Sequence, residues 1–242
     1  MEIRIDRLHW REFKKLVPES VTTVLLPVGM LEAHGASALG TDVIIPEKLA
    51  EMVAKDVGAL VAPSIAYGIP GGLDGYPGTV GVREEIFAEY LGEVLHSLAT
   101  SGFKIVFILN GHGGNNVALK EVARSVFQSS GVFVGVIHWW IEAADITREI
   151  YGGSGGHGGA DETGMMLAID PALVRTKPKD AEGSWRVRSS VVTYPAPSSH
   201  LVYDDDAAAL SFDEAKAAAI LKRVAERIGE IVEDIEGRWA EI

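Results

Sequence analysis

Val21-Thr22-Thr23-Val24-Leu25-Leu26-Pro27-Val28 runs straight into Gly29-Met30-Leu31-Glu32-Ala33-His34-Gly35, and Gly40-Thr41-Asp42 closes the stretch. The first part is a short apolar run, the signature of a strand buried on both faces. The second part puts a carboxylate, an imidazole and another carboxylate just past its end. In extended backbone residues i and i+2 face one side, so Glu32 and His34 can converge while Ala33 turns away. Flanking glycines let the chain turn sharply and return Asp42 to the same point. A mixed oxygen and nitrogen set suits Zn, Mn or Fe(II) better than Mg or Ca. The alternative is an exposed loop of ordinary polar residues.

Three further apolar runs repeat the pattern, over 60–67, 104–109 and 132–140. Helical spacing is expected over 47–57, with Pro46 at its first turn, and over 84–99 and 117–127. Strands alternating with helices predict an α/β fold, a three-layer αβα sandwich on a mostly parallel sheet. In such sheets ligands bind beyond the carboxyl ends of the strands. The polar clusters choose that edge: Glu32 and His34 follow the first strand, Asn110-Gly111-His112-Gly113-Gly114-Asn115-Asn116 the third, and His138-Trp139-Trp140 the fourth. The glycine-rich stretch 68–79 follows the second and is expected to wall the site.

Further on, glycines surround His157, and Glu162 opens a helix containing Met165 and Met166. A carboxylate there suits the positive end of the helix dipole, or it serves a site. Charges over 177–195, with an alternation over 187–193, suggest an excursion or hairpin. Asp204-Asp205-Asp206 reads as a solvated turn. Ser211-Phe212-Asp213-Glu214 has the form of a capping box for a long helix ending near residue 239.

Bulk properties narrow the function. With 242 residues and 47% hydrophobic content the chain supports a sizeable core, and residues 1–242 read as a single domain. The formal charge of −12 argues against nucleic acid and anionic membrane as partners. No cysteine is present, so any metal must use His, Asp and Glu. The start lacks the apolar core of a signal peptide and no run approaches membrane-spanning length, so a cytoplasmic protein is expected.

On Leu31-Glu32-Ala33-His34-Gly35, Gly40-Thr41-Asp42, Gly75-Tyr76-Pro77-Gly78-Thr79, Asn110-Gly111-His112-Gly113-Gly114-Asn115 and His157-Gly158-Gly159-Ala160-Asp161-Glu162-Thr163, the sequence resembles the creatininase family of metal-dependent amidohydrolases. These ordered motifs lie within about residues 20 to 175. The resemblance implies two divalent transition metals per chain, Zn, Mn or Fe. Glu32, Asp42 and His112 match the ligands of one, and His34 with the bridging Asp42 match those of the other. Creatininases proper complete the second metal with a glutamate where this chain has Gly114, which puts creatinine in doubt as the substrate and leaves Glu162 as the acid to compensate.

The resemblance further implies that His157 orients substrate or transfers a proton, with Glu162 as a second candidate for that transfer. Tyr76, Gly113, Trp139 and Trp140 are carried as substrate-binding positions, the two tryptophans equally suited to core or interface. The implied reaction is hydrolysis of a cyclic amide, formamide or related C–N bond of a small molecule through a metal-bound hydroxide. Family members that deformylate a formylamino-pyrimidine nucleotide or cleave peptides in cofactor maturation are alternatives. A non-catalytic nucleotide-binding module, with Gly111 to Gly114 cradling phosphate at a helix start, is the rival from another class. Family resemblance also implies a homo-oligomer, a hexamer.

Overall fold

A computed structural model describes residues 1–175 and 183–241. Its centre is a four-stranded parallel sheet in the order β2-β1-β3-β4, with β1 Thr23–Val28, β2 Leu60–Val61, β3 Ile105–Asn110 and β4 Phe133–His138. Every residue of β1 and β3 is buried, which is why both read as unbroken apolar runs rather than alternations. Alternate side chains feed two cores. Leu25, Phe107 and Leu109 pack on one face, Val24, Leu26, Val106 and Ile108 on the other.

Helices cover both faces, so the layers are αβα. On the first face lie α2 (Thr41–Val57), α7 (Ala160–Ile169) and the long α8 (Glu214–Trp239), through residues such as Leu49, Met165 and Val224. On the second lie α3 (Glu84–Thr100) and α4 (Asn116–Ser130), through Phe87, Leu91 and Leu119, with α1 (Trp10–Leu16) alongside through Phe13. Short α5 (Trp139–Glu142) and α6 (Ala144–Tyr151) leave the end of β4. A separate two-stranded parallel pair joins β5 (Trp185–Arg186) to β6 (Leu201–Val202).

Several expectations are corrected. The helix after the first strand begins at Thr41 rather than Pro46, so Asp42 sits in a helical first turn and not in a loop. Pro46 is inside α2, where it withholds an N–H from the Asp42 carbonyl. The second strand keeps only two residues, because Pro63 has no ladder donor, though Ala62 and Ile65 still donate to Leu25 and Pro27. The fourth strand stops at His138, where the chain turns helical. The hairpin over 177–195 falls partly, through residue 182, outside the described residues, and from residue 183 onward the chain contributes β5 to the parallel β5–β6 pair instead. The cap of α8 is Asp213, whose carboxylate accepts from the N–H groups of Ala215 and Lys216, in place of Ser211.

Candidate metal centre

Val28, Asn110 and His138 stand opposite one another as the last residues of their strands, so the segments after them leave from one line. Ladder bonding continues one step further, Gly29 donating to Ile65 and Gly111 to Val28. The loop after β1 is pinned on both sides, by Glu32 N–H to the Leu39 carbonyl and Val80 N–H to the Leu31 carbonyl. This delivers Glu32 and His34 to the place where the first turn of α2 presents Asp42. All three are buried.

Asp42 divides its carboxylate between two imidazoles. One oxygen lies 2.8 Å from His34 Nε2, the other 2.9 Å from His112 Nδ1. Glu32 is 3.1 Å from the same His112 nitrogen, and Glu162 is 3.8 Å from His34 Nε2. Three groups result, each with donor atoms within 4.8 Å of one another: Glu32, Asp42 and His112; His34, Asp42 and Glu162; and Glu32, His34 and His157. The stretch after the first strand therefore does converge with His112 and Glu162.

Each imidazole is anchored by a backbone carbonyl. His34 Nδ1 faces Glu32 O at 3.0 Å, His112 Nε2 faces Ile69 O at 2.9 Å, and His157 Nε2 faces Ala33 O at 2.7 Å. A carbonyl only accepts, so those nitrogens carry the protons and the opposite nitrogens turn toward carboxylates. That is the orientation found in metal-binding histidines, whose second nitrogen is held by a carbonyl or carboxylate. Without a cation, the inward nitrogens of His34 and His112 must be protonated too. Burial alone would depress both imidazoles, but the carboxylates outweigh it and push each up to about 10. Burial would raise Asp42, and the two histidines hold it far below its usual range instead. Burial drives Glu162 well above the ordinary carboxylate value, with Asp42 and Asp161 adding repulsion. His157 goes the other way, to about 4, through burial and the positive charge of His34. A cluster of carboxylates and inward imidazole nitrogens, awkwardly charged by itself, fits divalent cations.

The model of the creatininase family, creatinine amidohydrolase, matches residues 6–232. The chain belongs to the creatininase family. Among curated relatives, creatinine amidohydrolase of Pseudomonas putida is 30% identical over 190 residues, covering 70% of this chain and 73% of that one. The 3-dehydro-scyllo-inosose hydrolase of Thermotoga maritima is 34% identical over 176 residues, 64% of this chain and 55% of that longer one. A solved mutant creatininase of Zn–Zn type shares the fold, with a TM-score of 0.83 at 23% identity over 97% of this chain and 98% of that chain. This creatininase-family chain is a hydrolase of the amidohydrolase type.

Around the cluster lies a cavity of about 190 Å³ lined by Asp42, Gly111, His112, Gly113, Trp140, Gly156, His157, Asp161, Glu162 and Tyr203. Of the substrate-binding expectations, Gly113 and Trp140 line it. Trp139 does not: it is 1% exposed and packs in the α8-side core, because the first residue of α5 points inward. Tyr76 does not either: its hydroxyl donates to Ala196 O at 2.8 Å, and its ring packs by Leu73, Ala196 and Leu201. The 68–79 stretch serves the site differently, through the Ile69 carbonyl that orients His112. Gly114 has a local cause in this creatininase-family chain, since a Cβ there would fall 2.4 Å from His112 Nε2 and 2.7 Å from Ile69 O.

Asp161 and Tyr203 were missed in the sequence. Tyr203 precedes an acidic run and matches no motif. The run itself is spent on ion pairs, Asp204 and Asp206 with Arg148 and Asp205 with Arg186. Tyr203 is held near the site because Leu201 donates to the His157 carbonyl. The residue as a whole is 56% exposed, yet its hydroxyl is pushed up to about 12, first by local desolvation and then by Glu162, Glu32 and Asp42, so it stays a neutral donor.

Two glycines let Asp42 reach its place. A Cβ at Gly29 would meet Asp42 O at 2.2 Å, and one at Gly111 would meet it at 2.0 Å, both backbone contacts. The carbonyl that Pro46 leaves without its helical donor thus lies between two strand ends. Gly111→Ala is expected to lower the melting temperature by about 2–10 °C, the range that overpacking implies for a chain this size. It should also weaken metal retention by displacing Asp42. An unchanged melting curve and metal content would show that α2 can retreat freely.

Proposed function

We propose that this protein is a metal-dependent amidohydrolase that hydrolyses a cyclic amide, formamide or related C–N bond of a small molecule. The supporting observation is the set of imidazoles locked by backbone carbonyls with their free nitrogens turned to shared carboxylates. In this reading Glu32, Asp42 and His112 hold one divalent transition metal, and His34, Asp42 and Glu162 hold a second, with Zn, Mn or Fe matching the donors. Glu162 thereby takes over the ligand position that Gly114 leaves empty. Bound metals of this kind activate water near neutral pH and polarise a carbonyl.

The remaining steps belong to the chain. His157 keeps Nε2–H on Ala33 O, so Nδ1 faces Glu32 Oε1 at 3.6 Å with its lone pair toward the cluster. That nitrogen takes up the proton released by the attacking water and returns it to the departing nitrogen. Trp140 and Gly113 form the wall against which the substrate lies. A phosphate cradle at Gly111 to Gly114 is disfavoured, because the cavity beside Gly111 and Gly113 is lined by the Asp42 carboxylate and by no Lys or Arg. The whole chain, residues 1–242, acts as one catalytic domain in the cytoplasm, as a homo-oligomer and by family habit a hexamer. In support, an apolar groove of about 820 Å³ runs along β4 past Phe127, Phe133 and Trp239, and no helix among the described residues is long and apolar enough to cross a membrane.

Purified protein is expected to hold about two transition-metal equivalents per chain, the number a paired site takes. Loading must also release protons. The folded values of His34 and His112 lie above their unfolded values, so without metal their charges stabilise the fold fully below pH 6.5. That contribution fades as pH rises toward 10. A metal displaces those protons, so its affinity should rise with pH across this window, and calorimetry in buffers of different ionisation enthalpy should register net proton release. Metal binding with no proton release would contradict the ligand assignment, and absence of metal under all loading conditions would overturn the hydrolase reading.

A further inference from the structure

Asp161 lines the catalytic cavity yet belongs to none of the groups that could hold a metal. It is 5% exposed. Its oxygens are met by backbone N–H groups, Gly156 at 3.3 Å and that of Glu162, and among the described residues no Lys, Arg or His pairs with it. Gly155 is kept bare beside it, since a Cβ there would fall 2.1 Å from the carboxylate. Burying a carboxylate without a cationic partner is costly, and the cost is offset when a bound molecule brings the cation.

The rest of the cavity agrees in chemistry. Trp140 and Tyr203 supply aromatic faces, and neither Lys nor Arg is among the lining residues. Aromatic rings attract cations, more weakly where solvent reaches them, as it does the 56% exposed Tyr203. Asp161 adds a negative charge beyond the carboxylates Glu32, Asp42 and Glu162 of the donor groups, at a cavity-lining position that none of those groups uses. The volume of about 190 Å³ lies below the range of drug-sized pockets and admits only a small molecule.

We propose that Asp161, with Trp140 and Tyr203, forms a subsite for a cationic ammonium or amidinium group on the substrate, so that the enzyme acts on small amides that carry a positive charge. This rests on the hydrolase reading above.

The test uses metal-loaded protein at pH 8 and two probes of nearly equal shape, methylguanidinium and N-methylurea, with binding measured by calorimetry and metal content on the same samples. Wild-type protein is expected to bind the cation about 10–100-fold more tightly, the worth of a charge-assisted hydrogen bond. Asp161→Asn, which can still accept from the Gly156 N–H, should lose that preference while keeping its metal and its N-methylurea affinity. Equal affinities in the wild type overturn the subsite, whether or not the variant folds. A preserved preference in Asp161→Asn also overturns it, and loss of metal there would make Asp161 a ligand. Wild-type protein that retains no metal defeats the hydrolase reading itself, whereas metal retained without charge preference defeats only the role of Asp161.

Discussion

Asp42→Ala is expected to strip the protein of nearly all bound metal and to reduce hydrolysis to background. Among the described residues no other side chain belongs to two of the ligand groups through separate oxygens, one set against His34 and the other against His112. Removing it opens both groups at once. The metal-free protein should suffer as well, because two buried imidazoles raised to about 10 lose the charge that they share. Breaking a buried ion pair from one side costs about 3–5 kcal/mol, so the variant should unfold several degrees earlier. It should also take on less proton charge, as His34 and His112 fall back toward ordinary values. Metal analysis by mass spectrometry, with melting curves in chelator, separates the two effects. Two equivalents retained in Asp42→Ala would refute the bridge.

His157→Ala should leave the metal in place and lower kcat by about 10²–10⁴-fold, the usual contribution of a positioned acid or base. His157 is the one imidazole of the cluster held below its ordinary value, at about 4, by burial and by the charge on His34. A metal beside His34 would replace that charge with its own, so the depression is expected to persist in the loaded enzyme. The imidazole is therefore neutral near pH 7, with Nδ1 free to take a proton. The sign follows: activity that depends on neutral His157 is lost as pH falls through about 4 and is unaffected by its titration above that. Its ring lies 4.1 Å from that of His34, so alanine leaves space that water fills, and small imidazoles added to the medium should restore part of the rate. Metal lost together with activity would make His157 a ligand, as its place in the third donor group allows.

The relatives differ in the molecule they are named for, and the motif resemblance implies a departure from creatininases proper at Gly114. Glu162 is suited to the vacancy because it opens α7, where Gly158 N–H donates to it at 2.6 Å and fixes its direction. In the proposed reading, one acid stands in for another from a different element, which would keep the number of carboxylates and change the side of the cavity from which the charge comes. The same reading leaves the substrate-facing wall to Gly113 and Trp140, while residue 114 stays bare because His112 and the Ile69 carbonyl leave no space for a Cβ there.

The sequence by itself determined the parallel sheet, the edge that carries the chemistry and Glu32, His34 and Asp42 as candidate donors, while His112 and Glu162 became candidate donors through the family resemblance. These are local properties: apolar runs of strand length, i and i+2 alternation, and glycine-flanked histidines just past a strand end. Only the tertiary structure decided that Asp42 enters from a helix whose Pro46 sits inside it, and that its carbonyl needs bare glycines at positions 29 and 111. It separated Trp139 from Trp140, adjacent in sequence and different in burial, because a single helical step of about 100° sends one into the core and the other to the cavity. It withdrew Tyr76 to Ala196 and brought in Asp161 and Tyr203, which reach the cavity through the α7 turn and the β6 end. Such placements depend on contacts between residues more than a hundred positions apart, such as His157 with Ala33, and no local spacing encodes them.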